Sequence, residues 1–220
     1  MCGRTNMCLD MQTINPLTIC LANQGDKLEL TQLLDDCYRV NGDCTIKDVR
    51  YFSDHFKGRR AVLIARVEGQ IVGSMTATLI SCSADLECDD EDQLSKDLIP
   101  ALCLSRAATR RNDRTRGVNS ILRMYCIEAA RELGLASLVG FVYQDAARTR
   151  IMAKLGYSFT PLKSLENAMI LYNSQLLFAK LPLKGSAETS VRLLRDQISE
   201  SENQGNWEGI SLADALIECD

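Results

Sequence analysis

Eleven consecutive residues carry the most chemistry in this chain: Arg110-Arg111-Asn112-Asp113-Arg114-Thr115-Arg116-Gly117-Val118-Asn119-Ser120. Arg106, Arg110, Arg111, Arg114 and Arg116 lead up to a single glycine, and an amphipathic segment begins at once after it. If that segment is a helix, its first N–H groups have no intrahelical acceptor and sit at the positive end of the helix dipole. Such a terminus binds anions, and a glycine lets the backbone approach a ligand closely. Guanidinium groups add charge and forked donors suited to phosphate oxygens. The residue types and their order point to a cradle for the pyrophosphate of a nucleotide-containing cofactor.

The flanking segments are those needed to position such a loop. Residues 101–108 are apolar and strand-like, and 138–143 form a second, buried strand pattern. Between them, Val118, Ile121, Leu122, Tyr125, Ala129 and Leu133 make one apolar helical stripe, with Asn119, Arg123, Glu128 and Arg131 assigned to the outer face. Gly134 fits the helix C-cap. A helix joining two neighbouring strands makes them a parallel pair. A shorter helix is expected over 145–154, closed by Gly156.

Arg114-Thr115-Arg116-Gly117-Val118-Asn119 resembles the R/Q-x-x-G-x-G/A loop of the GNAT acyltransferase superfamily, and Lys154-Leu155-Gly156-Tyr157 resembles the K-L-G-F element that often closes that family's acyl-CoA half. The resemblance spans roughly residues 61–180. Leu104-Ser105-Arg106 also resembles the S-R signature of the autoinducer-synthase and N-acyl amino acid synthase branch. The family implies an α/β (α+β) fold: a mixed, mostly antiparallel sheet with a splayed parallel strand pair and helices on both faces. It implies an N-acyltransferase that moves an acyl group from an acyl-CoA or acyl-carrier-protein thioester to an amine, such as that of an amino acid. Arg111, Arg114, Thr115, Arg116, Gly117, Val118, Asn119 and Ser120 would then hold the donor's diphosphate. Ser105 and Arg106, with Ala107, Ala108 and Thr109, would offer main-chain groups to its amide-containing arm. Ser105 and Arg106 are equally readable as ordinary strand residues.

The catalytic groups are less legible. The family often places a tyrosine on the helix before K-L-G-F to protonate the leaving thiolate, and here that position is Met152. Tyr143 and Tyr157 are the nearest phenols; Tyr143, at a strand end, is the better placed. Asp145 either accepts a proton through water or caps the short helix. Arg106 is the third candidate. His55, the one histidine, lies outside the motif region. The missing tyrosine keeps a second reading open, a non-catalytic acyl-CoA-binding or interaction module.

Composition bounds these readings. The chain has 220 residues, 46% hydrophobic and 25% charged, with a net charge of −4. It is long enough for a sizeable core, and its acidity speaks against a nucleic-acid binder. Ten cysteines include no C-x-x-C pair, so zinc-ligand spacing is absent and no metal is expected. With no secretory signal or membrane span in evidence, the thiols read as reduced and the location as cytoplasmic.

Elsewhere, a short strand is expected near 17–21, helices over 27–40 and 45–57, and a hairpin over 60–81 turning at Glu68-Gly69. Residues 83–95 read as an acidic surface loop. A closing hairpin is expected from strands over 168–172 and 175–181. The acyltransferase-like domain is drawn over 1–184, with a poorly defined stretch over 1–24 and a mobile or loosely docked tail over 185–220.

Overall fold

The computed structural model describes residues 16–40, 59–86, 95–144, 146–162, 175–200 and 205–218. Its centre is one mixed sheet in the order β6-β7-β5-β4-β3-β2-β1-β8. The strands are β1 (Thr18–Leu21), β2 (Arg60–Val67), β3 (Gln70–Ile80), β4 (Ala101–Thr109), β5 (Ser137–Tyr143), β6 (Ser158–Pro161), β7 (Leu176–Pro182) and β8 (Asn206–Trp207). β4–β5 and β1–β8 are parallel; every other neighbouring pair is antiparallel. Helices cover both faces: α1 (Lys27–Val40), α2 (Val118–Glu132), α3 (Ala147–Lys154), α4 (Ala187–Glu200) and α5 (Leu212–Glu218).

The β2–β3 turn forms because Glu68 and Gly69 both take positive φ, 51° and 80°, which suits the twist of a two-residue hairpin. α1 presents Leu30, Leu33 and Leu34 to Val62, Ile64, Ile71 and Ala108 on one face of the sheet. On the other face α2 buries Val118, Ile121, Leu122, Cys126 and Ile127 in the main core. Burial pushes the Cys126 thiol up to about 12, so it behaves as a small hydrophobe. Cys20, Cys37, Cys82, Cys103 and Cys126 are all free thiols.

Three expectations change. Arg123, assigned to the outer face of α2, is buried at 6% exposure, and its Nη1 donates to the Tyr157 hydroxyl at 3.0 Å. The partner of β7 away from β5 is β6, pairing Ser158 with Lys180 through Pro161 with Leu177; the strand expected over 168–172 lies outside the described residues. So do the helix expected over 45–57, which contains His55, and most of the acidic loop.

The segment expected to be a loose tail is packed, for a physical reason. Ala187, Ser190, Val191, Leu194 and Ile198 form the buried face of α4, and Leu212, Ala213 and Leu216 that of α5. Both faces join the core on α2's side of the sheet. β8 pairs Asn206 with Thr18 and Trp207 with Ile19, covering β1. Val191, Leu194 and Ile198 are helix-spaced in the sequence, but the polar stretch that follows them gives no sign that this face docks. Leu194 is 0% exposed, so Leu194→Ala should destabilise the whole protein by about 2–5 kcal/mol. Urea unfolding with probes on α4 and on the sheet should show one shared transition.

Candidate functional site

The site is built where β4 and β5 part. Their parallel pairing runs from Ala101–Ser137 to Leu104–Gly140 and stops there. At the last pair the backbones nearly touch: a Cβ on Gly140 would lie 2.6 Å from the Leu104 carbonyl oxygen. Beyond it β5 stays with β7 out to Tyr143, while β4 stays with β3 out to Thr109. The two arms therefore enclose a gap with unpaired strand edges.

A bulge turns β4 at the base of its arm. β3 pairs Thr76 with Ser105 and Ser74 with Ala108, so Met75 faces both Arg106 and Ala107. Arg106 takes φ 49° and is 9% exposed. A buried, non-glycine residue in that region stores strain of roughly 1–3 kcal/mol, a frequent property of functional sites. After the bulge, Arg110 N–H donates to the Val72 carbonyl at 2.8 Å. Alternation along the ladder then sends the main-chain groups of Ala107 and Thr109 away from β3, into the gap. Two α1 side chains meet them: the Tyr38 hydroxyl donates to the Ala107 carbonyl at 3.3 Å, and the Cys37 thiol to the Thr109 carbonyl at 3.3 Å. Burial pushes the Cys37 thiol up, and the nearby Arg114 charge opposes this.

The basic corner follows. Residues Arg111–Arg116 form a 3-10 turn, and Gly117 reverses the chain at φ 69°, ψ 14° before α2 begins with no side-chain cap. Ile121 N–H donates to the Gly117 carbonyl, so the N–H groups of Val118, Asn119 and Ser120 precede the first helical bond. Val118 is fully buried and seats the helix start on β3 where Gly73 leaves room; a Cβ on Gly73 would lie 2.4 Å from Val118 Cγ1. Arg111, Arg114 and Thr115 are exposed, whereas Arg116 pairs with Asp113 at 3.3 Å. Arg110 turns to Gln70 at 3.0 Å and Glu29 at 3.5 Å, and Glu29 also accepts the Ile71 N–H at 2.7 Å. That network ties α1 to the corner.

The expected site residues divide accordingly. Ala107, Thr109, Arg111, Arg114, Gly117, Val118 and Asn119 lie along one path from the gap to the start of α2. Ala108 faces the α1 side and is buried there. The Ser120 hydroxyl meets Gln197 of α4 at 3.4 Å, so its side chain belongs to helix packing. Tyr143 is half-buried at the tip of the β5 arm. Asp145 lies outside the described residues; the cap position of α3 is Ala146, which makes no side-chain cap bond. Tyr157 is buried beside Arg123, and its phenol is pushed up by burial. Met152 is also core, at 6% exposure. Tyr38, Cys37 and Glu29 were not singled out as site residues, because each meets its partner across the fold, 69 or more positions away on β4 for Tyr38 and Cys37 and 42 positions away at Ile71 for Glu29, which leaves no local signal.

The corner and gap fit an acyl-CoA. A diphosphate would meet the α2 N–H groups with Arg111 and Arg114 beside them, and the amide-bearing arm would run along Ala107 and Thr109. The Thr109 Oγ1, at the junction of gap and corner, is buried without a hydrogen-bond partner among the described residues. A ligand with donors and acceptors at that point answers a need the described residues leave unmet. Among the described residues, no group of three or more His, Cys, Asp or Glu could hold a metal ion, and no helix is long and apolar enough to cross a membrane.

No family model and no curated protein matches the sequence. Solved structures do match the fold. The ribosomal-protein-S18-alanine N-acetyltransferase of Escherichia coli superposes with a TM-score of 0.57 at 13% identity, over 76% of this chain and 94% of that one. A Salmonella typhimurium protein assigned as an acetyltransferase, solved with its cofactor acetyl-CoA, gives 0.54 at 20% identity, over 77% and 95%. BjaI, a CoA-dependent acyl-homoserine lactone synthase, gives 0.56 at 15% identity and spans 92% of this chain and 98% of its own. The chain has the fold of the GNAT acyltransferases.

Proposed function

We propose that this protein is an N-acyltransferase that moves an acyl group from an acyl-CoA, or an acyl-carrier-protein thioester, to an amine. The observation that carries the reading is the parting of β4 and β5 after Leu104–Gly140, opening directly toward an uncapped helix terminus reached through Gly117. In that arrangement the corner binds the donor's diphosphate, and the β4 arm aligns the thioester in the gap. The amine nitrogen attacks the thioester carbon, a C–N bond forms, and the C–S bond breaks with its electron pair passing to sulfur. Main-chain N–H groups on the gap side of the bulge at Arg106 are suited to the oxyanion. Arg106 holds that bulge, Tyr143 lines the opposite arm, and Asp145 remains the proposed base. BjaI is named an acyl-homoserine lactone synthase. Its match across most of this chain, with the Leu104-Ser105-Arg106 resemblance, supports an amino-acid-derived acceptor.

Calorimetric titration with acetyl-CoA and octanoyl-CoA tests the donor site. Saturable heat with at least one is expected; none from folded protein overturns the proposal. A second reading rests on the buried Met152, where the family often carries a phenol: a module that binds acyl-CoA without turning it over. Thiol release from bound donor in the presence of an amine panel separates the two.

A further inference from the structure

We infer that Tyr38 is the proton donor to the departing sulfur, which deepens the acyltransfer reading and rests on it. The Tyr38 hydroxyl stands 3.3 Å from the Ala107 carbonyl oxygen, and that carbonyl faces the gap next to the bulge at Arg106. An acid for the leaving sulfur has to stand close to the donors that hold the oxyanion, because both act around one carbonyl carbon. Tyr38 meets that requirement from α1, on the β4 arm itself. Two other routes to a phenol are closed: Met152 has none, and the Tyr157 hydroxyl is held in the core by Arg123. Among the described residues, Tyr143 stands on the opposite arm and is a rival.

The step balances without an added reagent. As the tetrahedral adduct collapses, the C–S electron pair goes to sulfur and sulfur takes the proton from Tyr38 Oη. The phenolate regains a proton through water from the nitrogen that has become an amide. The products are the amide and the free thiol.

The test measures thiol release with two donors, acetyl-CoA and S-phenyl thioacetate, against a panel of amino acids and hydroxylamine. Thiophenolate leaves readily without a proton, so it does not need the acid. Tyr38→Phe should lower kcat for acetyl-CoA about 100-fold with KM little changed. With S-phenyl thioacetate the same variant should stay within about threefold of wild type. An equal loss with both donors would make Tyr38 only a tether between α1 and β4, and overturns the inference. So does an unchanged rate with acetyl-CoA, or a leaving-group-dependent loss in Tyr143→Phe instead. Wild-type protein that binds acetyl-CoA but releases no thiol overturns the acid assignment together with the enzyme reading, leaving the donor site standing. Absence of binding by calorimetry removes the donor site itself.

Discussion

Gly117→Val should weaken acetyl-CoA binding by roughly 100-fold or more while the protein remains folded. The residue sits at φ 69°, ψ 14°, immediately before the first residue of α2. Left-handed backbone costs an L-residue about 1–2 kcal/mol, and a β-branched residue is least tolerated there. The cheapest relief is to swing the corner to negative φ, which re-aims the first N–H groups of α2 and shifts Arg114 and Arg116. Hydrogen bonds to a charged group contribute about 1.5–3 kcal/mol each. Losing two of them weakens binding by roughly 100-fold or more. The measurement is calorimetric titration of wild type, Gly117→Ala and Gly117→Val, with circular dichroism to confirm folding. The alanine variant should bind with intermediate affinity. Undiminished affinity in the valine variant would detach the ligand from this corner.

Gly140→Ala should cost more stability than Gly134→Ala. Its Cβ would lie 2.6 Å from the Leu104 carbonyl oxygen, and backbone stands on both sides of the contact. Neither strand can turn a rotamer away, so β4 and β5 must separate at their last shared pair. A loss of about 3 kcal/mol is expected, in the range of overpacked core sites. Gly134 is the control: it has φ 65° but nothing within 4 Å of an added Cβ. Gly134→Ala therefore carries only the backbone term, about 1–2 kcal/mol. Urea unfolding of the two variants checks the order. Because the parted strands begin at Gly140, that variant should also bind acetyl-CoA more weakly than Gly134→Ala does. Equal stabilities would mean that the vertex can relax.

What the sequence made legible follows from where its signals are local. The α2 stripe, Gly117 and the arginines are contiguous, so the strand–corner–helix order could be read directly. β4's outer end could not be read so simply, since the bulge at Arg106 breaks the two-residue alternation partway along the strand. Arg123 was misassigned because its partner, Tyr157, is 34 positions away, and a buried arginine is indistinguishable by pattern from an exposed one. The tail was misjudged for a related reason. β8 spans two residues and α5 seven, too short for a periodic signature, and they pack against β1, β2 and α2. Tyr38 lies 69 positions from its contact on β4, beyond the reach of any motif.

The pairing of β1 with β8 joins segments from opposite ends of the described chain, Thr18 with Asn206. While the polypeptide is emerging from a ribosome, the outer rim of β1 and the apolar flank of α2 have no cover until α4, β8 and α5 follow. Such a nascent chain carries an open sticky edge for most of its synthesis, and its last closure spans a very long loop. Slow completion and a need for chaperone protection of partly made chains are the expected consequences.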